Sequence, residues 1–309
     1  MSKVLVTGAN GFVGKHLLDE LLAHAIEVLA VGGPLSTAKR GGGGQKSLAL
    51  DLTKPAEAQK IDFGGVTGVI HLAGLAAVGP SFDNPMRYID TNIGIEVNLF
   101  EAALAQKARP RFLIISSGAL YNPAAGLPLD EQSQVLPSSP YAVSKLGQEQ
   151  MAQYYTQRGL ECIIARPFNH FGPGQEAGFI VPDLTRQLIE CQQGKRHEIS
   201  VGNLEAQRDY TDVRDIVRAY RLLLGKGASG EVYNICSGKA LSGKEILAGI
   251  TKAAGFKART KQDSARMRPS DSLVIYGNHR KLSQATGWQP EIAIETTLVD
   301  VVADWRSRL

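Results

Sequence analysis

The chain has 309 residues, 43% of them hydrophobic, which is enough to bury one large core or two smaller ones. Its 34 Lys and Arg against 30 Asp and Glu leave a formal net charge of +4 that is not gathered into a basic block, which argues against nucleic acid and leaves room for a phosphate-bearing small ligand. No apolar run reaches the roughly 20 residues needed to cross a bilayer, and the opening MSKVLVTGANG lacks a secretory layout, so no membrane partner is expected and a cytoplasmic location is.

A short apolar run at residues 3–7 (KVLVT) reads as a strand, and the helical pattern of residues 12–23 follows it directly. Between them Gly8, Gly11 and Gly14 form GxxGxxG. Glycines so placed allow a tight turn, backbone approach to a pyrophosphate and close helix-strand packing, while the helix start offers N–H groups to an anion. A second strand, residues 27–31 (EVLAV), ends at Gly32 and Gly33, where NAD-selective proteins usually carry a carboxylate for the ribose hydroxyls. Its absence removes the repulsion that a 2′-phosphate would meet, and Lys39 and Arg40 lie in the following loop, whose glycines 41–44 make it read as mobile. The cofactor expectation is therefore NADP(H), with NAD(H) as the alternative.

Strands are expected again at residues 68–72 (GVIHL), 111–116 (RFLIIS) and 161–166 (ECIIAR), and helices near 85–107 and 140–158. Repeated β-α-β order predicts a Rossmann-type, doubly wound parallel sheet with helices on both faces, an α/β fold. Cys162, Cys191 and Cys236 lie far apart with no CxxC or Cys/His cluster, so buried thiols are expected and no metal site. After Pro167 the alternation loosens, which divides the chain into a dinucleotide-binding domain at 1–167 and, at 168–309, mainly a smaller substrate-binding lobe. The helical stretch near Asp212 is expected to pack back on the main sheet.

In SSPYAVSKLGQEQ, Ser139 is a natural N-cap and Pro140 suits the first helical turn, so Tyr141 and Lys145 share a helix face. A phenol near pKa 10 is a poor acid-base catalyst at neutral pH, and an adjacent ammonium favours the phenolate.

The glycine motif, the serines of IISSGALY, YAVSK and RPFN together resemble the extended short-chain dehydrogenase/reductase family, in its nucleotide-sugar branch, across nearly the whole chain. The resemblance implies a catalytic Ser117, Tyr141 and Lys145. It implies cofactor contacts at Gly8, Asn10, Gly11, Phe12, Val13 and Gly14, at Asp51 and Leu52 beside the adenine, at Leu72, Ala73 and Gly74, at Tyr141 and at Lys145, which would also hold the nicotinamide ribose hydroxyls, and at Asn92, for which a helix-to-loop hydrogen bond is an equal alternative. Dehydratases of the family need carboxylates just after the serine, where this chain has Gly118 and Ala119. Epimerase-reductases use a cysteine and a histidine at the positions of Ala119 and Gly174.

What remains suits ketone reduction, or a 4-epimerase with tightly bound NAD. A non-enzymatic sensing protein on the same fold is the third reading, disfavoured because both Tyr141 and Lys145 are present. RPFNHFGPGQ, VGNLEAQRDYTDVRD and RPSD resemble the GDP-mannose 4,6-dehydratase subgroup and its reductase relatives. That likeness implies a GDP-sugar substrate held by Asn169, Val181, Arg208, Arg268 and Asp271, with the two arginines on the diphosphate. It further implies reduction of GDP-4-keto-6-deoxy-D-mannose to GDP-D-rhamnose, and a homodimer built on the helices near 85–107 and 140–158.

Overall fold

A computed structural model describes residues 3–33, 46–122, 124–264 and 274–309. In chain order the elements are β1 (Lys3–Thr7), α1 (Phe12–Ala23), β2 (Glu27–Gly32), β3 (Lys46–Ala49), α2 (Pro55–Ala58), β4 (Val66–His71), α3 (Gly79–Asp83), α4 (Pro85–Ala105), β5 (Arg111–Ile115), α5 (Pro140–Gln157), β6 (Glu161–Pro167) and β7 (Asn169–Phe171). They continue with α6 (Ile180–Gln192), β8 (Glu198–Val201), β9 (Gln207–Asp212), α7 (Val213–Lys226), β10 (Val232–Ile235), β11 (Ala240–Ser242), α8 (Gly243–Ala254), β12 (Arg259–Gln262), β13 (Val274–Ile275), α9 (Arg280–Thr286) and α10 (Ile294–Arg308).

Seven parallel strands form the main sheet in the order β10-β6-β5-β4-β1-β2-β3. The chain runs one way from β1 and then reverses to the other side at β4, so the carboxyl ends of β1 and β4 flank the crevice where such sheets bind ligands. Buried Val, Leu and Ile on these strands pack on one face against α4 and α5 through Leu99, Phe100 and Tyr155, and on the other against α1 and α7 through Leu17, Leu21 and Tyr220. This is the Rossmann-type α/β fold.

The five expected strands and three expected helices form, with ends displaced by two residues or fewer, and Asp212 N-caps α7 through a bond from Arg214 N. Two strands of the sheet were not anticipated. Both are four-residue edge strands: KSLA, with its polar Lys46 and Ser47, and VYNI, with Asn234 buried in it. Gly41–Gly44, Lys39 and Arg40 lie outside the described residues, as do Arg268 and Asp271.

Beyond Pro167 the chain builds a second core from α6, α8, α10, β8 and β9, centred on Leu188, Ile250 and Trp305. A small sheet, β11-β9-β13 with β7 also on β9, joins this assembly to the end of β6. The same part of the chain returns α7 and β10 to the main sheet, so a cut at residue 167 separates segments that share one core.

Candidate active site

The turn from β1 to α1 is shaped by what its glycines leave out. Gly8 has φ +68°, and a Cβ there would lie 2.8 Å from Ala73 N and Leu72 C, so the loops after β1 and β4 touch backbone to backbone. A Cβ on Gly14 would run into Gly8 O, which fixes how closely α1 approaches its strand. Gly11 N donates to Gly8 O at 2.9 Å, and no side chain caps α1. Asn10 is exposed, Phe12 and Val13 are half-buried, and the Phe12 ring stacks on His170 with centroids 6.4 Å apart. A glycine-rich turn feeding a helix start without a side-chain cap fits a pyrophosphate.

At the end of β2, Gly33 faces open space, and Gly32 O accepts from Leu50 N, which draws Asp51 and Leu52 alongside. Asp51 accepts from Thr53 Oγ1 (2.6 Å) and Thr53 N (3.2 Å), and the Thr53 hydroxyl holds its carboxyl below the usual range. Leu52 is core, and its carbonyl accepts from Asn98 Nδ2.

The end of β4 is tied to β1 by Thr7, whose Oγ1 accepts from Ala73 N and lies 2.8 Å from His71 Nδ1. Asn92, on α4, is wholly buried. Its Oδ1 accepts from Leu75 N, and its Nδ2 donates to Leu75 O and Ser144 Oγ, which in turn donates to Tyr141 O. Gly74 has φ +155°, and a Cβ there would come 2.8 Å from Asn92 Oδ1. Of the two alternatives for Asn92, the geometry is the helix-to-loop bond: both Nδ2 hydrogens go to protein acceptors.

Ser117 follows β5 and its Oγ accepts from Ala119 N at 3.1 Å, capping a single 3₁₀ turn. Ser139 Oγ accepts from Ala142 N, Pro140 opens α5, and Tyr141 and Lys145 both come to the carboxyl edge of the sheet, nine-tenths buried. The Tyr141 phenol comes near enough to the Ser117 side chain to be acted on by its hydroxyl. Lys145 Nζ donates to Ile115 O (2.8 Å) and Gln148 Oε1 (2.9 Å) and lies 6.0 Å from the Tyr141 ring centre.

The expected electrostatics of this pair need correction. Burial pushes the Tyr141 phenol up, the Ser117 hydroxyl opposes that, and the edge-on Tyr88 adds to it. The ammonium does not reverse the trend because Ile115 O and Gln148 hold it on the sheet side. Burial brings Lys145 down to about 8, against the pull of Glu96 and Glu149.

Sequence reasoning missed the polar layer behind Lys145. Glu149 accepts from Ser116 Oγ (2.5 Å) and takes a two-point clasp from Arg166 (2.8 and 2.7 Å), and Arg166 lies over the Tyr121 ring. Tyr121 OH donates to Asn234 Oδ1. The available signal was spacing: Gln148 and Glu149 stand one turn beyond Lys145 on α5.

On the substrate side, Asn169 is exposed at the start of β7. Arg208 is half-buried on β9, opposite Leu241 and Ile275, and its Nη1 donates to Gln207 O. Val181, on α6, packs its side chain into the second core with 1% exposure. The structure brings Ser117, Tyr141 and Lys145 together and keeps the glycine turn beside them across β4. Gly118 sits under the Phe168 ring, 2.9 Å from where its Cβ would be. Among the described residues no cluster of His, Cys, Asp or Glu could hold a metal, and no helix is long and apolar enough to cross a membrane.

Comparison with known proteins agrees with this arrangement. The chain is 36% identical over 311 residues to a GDP-6-deoxy-D-mannose reductase of Pseudomonas aeruginosa, covering 99% of this chain and 98% of the relative. The solved structure of RMD from Pseudomonas aeruginosa complexed with NADPH superposes with a TM-score of 0.89 at 35% identity, covering all of both chains. A UDP-glucose 4-epimerase of Thermus thermophilus in complex with NAD superposes with a TM-score of 0.86 at 26% identity over 99% of this chain and all of the other. The NAD dependent epimerase/dehydratase family profile matches residues 4–236, and the chain belongs to that family.

Proposed function

We propose that this enzyme reduces the C4 ketone of GDP-4-keto-6-deoxy-D-mannose with NADPH, giving GDP-D-rhamnose. The observation that carries the reading is the hydroxyl pair Ser117–Tyr141 with a buried lysine one turn along, in a site where nothing at 118 or 119 could serve elimination. Phe168 supports the last point, since any side chain at position 118 would run into its ring. The reductase and NADPH-bound likenesses favour reduction and this cofactor over the alternatives.

Bound nicotinamide supplies the hydride that reduces the carbonyl carbon. Tyr141, kept protonated at neutral pH by its burial, gives its proton to the carbonyl oxygen as charge develops there, and Ser117 donates a second hydrogen bond to that oxygen. The Lys145 ammonium lies 6.0 Å from the centre of the ring that then carries the phenolate. The uncapped start of α1 binds the pyrophosphate, and the Asn92-held loop walls the site. Arg208, Arg268, Asp271 and Asn169 take the GDP moiety, whose diphosphate suits a guanidinium fork.

Incubation with NADPH and GDP-4-keto-6-deoxy-D-mannose should oxidise one NADPH per sugar and yield GDP-D-rhamnose by NMR. A 4-epimerase, the reading favoured by the Thermus likeness, would instead interconvert C4 epimers with bound NAD and no net NADPH loss. A homodimer through α4 and α5 is part of the proposal: they pack side by side and leave Met86, Val143 and Tyr154 exposed, and light scattering should return twice the chain mass.

A further inference from the structure

Lys145 has to remain an ammonium in a place that disfavours charge, and the carboxylate nearest in sequence cannot supply the balance. Glu149 is already matched by Arg166 through two bonds, so that pair contributes little net charge. Across the helix pair, on α4, Glu96 is wholly buried, and neither of its carboxyl oxygens has a hydrogen-bond partner. Such an acid is costly unless it interacts with a charge. Lys145 is the cation that bears on it, and Gln148, which accepts from Lys145 Nζ, adjoins both groups.

We propose that Glu96 is a positioning residue for Lys145, a buried acid that keeps the ammonium charged at alkaline pH and so sets the upper pH limit of turnover. Glu96 and Lys145 share a coupled site. Burial pushes the Glu96 carboxyl well above the usual carboxylate range, and the Lys145 ammonium pulls against that shift. As pH rises, one proton leaves the pair, and two acceptors fixed on Nζ, Ile115 O and Gln148 Oε1, favour loss from the carboxyl. The remaining ion pair keeps Lys145 charged. The other groups facing the pair are Glu149 on α5, Arg166 and Cys162 on β6, His71 on β4 and Tyr141 at the head of α5. Burial holds His71 neutral, with its ring brought to about 3, and holds the Cys162 thiol up at about 12, so neither can take over the role.

The inference rests on the proposed role of Lys145, and the test separates the two. In the cofactor-free protein, the 13Cε resonance of Lys145, assigned with Lys145→Met, should titrate at least one pH unit lower in Glu96→Gln than in the parent. In turnover, Glu96→Gln should retain kcat at pH 6.5 and lose it tenfold earlier on the alkaline side, with Glu96→Asp restoring part of the parent profile. Should Glu96→Gln fold poorly, Glu96→Met takes its place, with the same shift expected. Coincident titrations in parent and variant overturn the proposal whatever the substrate is, as does an equal loss of kcat at every pH. A shifted resonance in a protein that does not reduce the keto sugar keeps the proposal and removes the reading of function.

Discussion

The buried aspartates of β9 and α7 and the buried glutamates of α4 and α5 are equally hidden from water and differently satisfied. Asp209 accepts from Ser237 N, Ser237 Oγ, Gly238 N and Gly277 N. Asp212 takes Arg214 N, the Arg214 guanidinium and Thr297 Oγ1, and Asp215 takes Arg218 and the backbone of Glu291 and Ile292. These three carboxylates are nodes that fasten loops and α10 to β9 and α7, and every added donor makes them more fixed. Behind Lys145, by contrast, Glu96 has no donor at all, and His71 Nε2 and Arg166 Nη1 are also left without partners. Unpartnered atoms occur elsewhere in the interior too, as at Thr211 Oγ1 and Trp305 Nε1, so it is their coincidence with the charged groups around Lys145 that marks the layer where protonation matters.

The largest effect expected belongs to the site side of this contrast. Tyr141→Phe removes the proton donor and leaves the ring packed against Tyr88, so turnover should fall by about 10³. NADPH affinity, followed by fluorescence, should change little, because the glycine turn is untouched. A variant with parent turnover would take Tyr141 out of the mechanism.

Next comes the structural side. Asp209→Ala removes the acceptor of four donors, one buried and three part-buried, and should cost about 3 kcal/mol in urea unfolding. Glu96→Gln, which strands none, should stay within about 1 kcal/mol of the parent. Equal losses for the two would erase the distinction.

Gly14→Ala tests the floor beneath both regions. Its Cβ would press on Gly8 O and Ala9 C, backbone atoms that cannot rotate away, so α1 must lift from β1. A loss of about 2 kcal/mol is expected, with weaker NADPH binding in titration.

Much of this was legible in the amino acids, for reasons visible in the structure. Strands buried on both faces must be continuous apolar runs, so KVLVT and RFLII announce themselves, and Ser139-Pro140 marks the start of α5 through cap chemistry. The edge strands KSLA and VYNI did not, because an edge strand tolerates polar residues and its length carries little pattern. In the site, the Tyr141–Lys145 pair stands out by its spacing on α5, whereas Ser117 was reached through the family resemblance. Glu96, Glu149 and Arg166 were not, since their meeting depends on how α4, α5 and β6 pack. The burial of Val181 was not legible for a similar reason: which face of α6 turns inward is decided by a core assembled from α8 and α10, far along the chain.

The smallest effect compares two caps of similar chemistry in the two regions. Ser139 accepts from Ala142 N at the start of α5, and Ser242 forms a reciprocal box with Glu245 at the start of α8. Removing either with Ala should cost about 1 kcal/mol of stability. Only at Ser139 does the capped turn carry Tyr141, so loosening it lets the phenol drift from Ser117. Ser139→Ala should therefore lower kcat severalfold at a temperature where both variants remain folded, while Ser242→Ala keeps parent kcat. Matching kcat in the two, measured alongside their melting curves, would mean that the first turn of α5 is held by its packing against α4 and β5 and owes its alignment nothing to the cap.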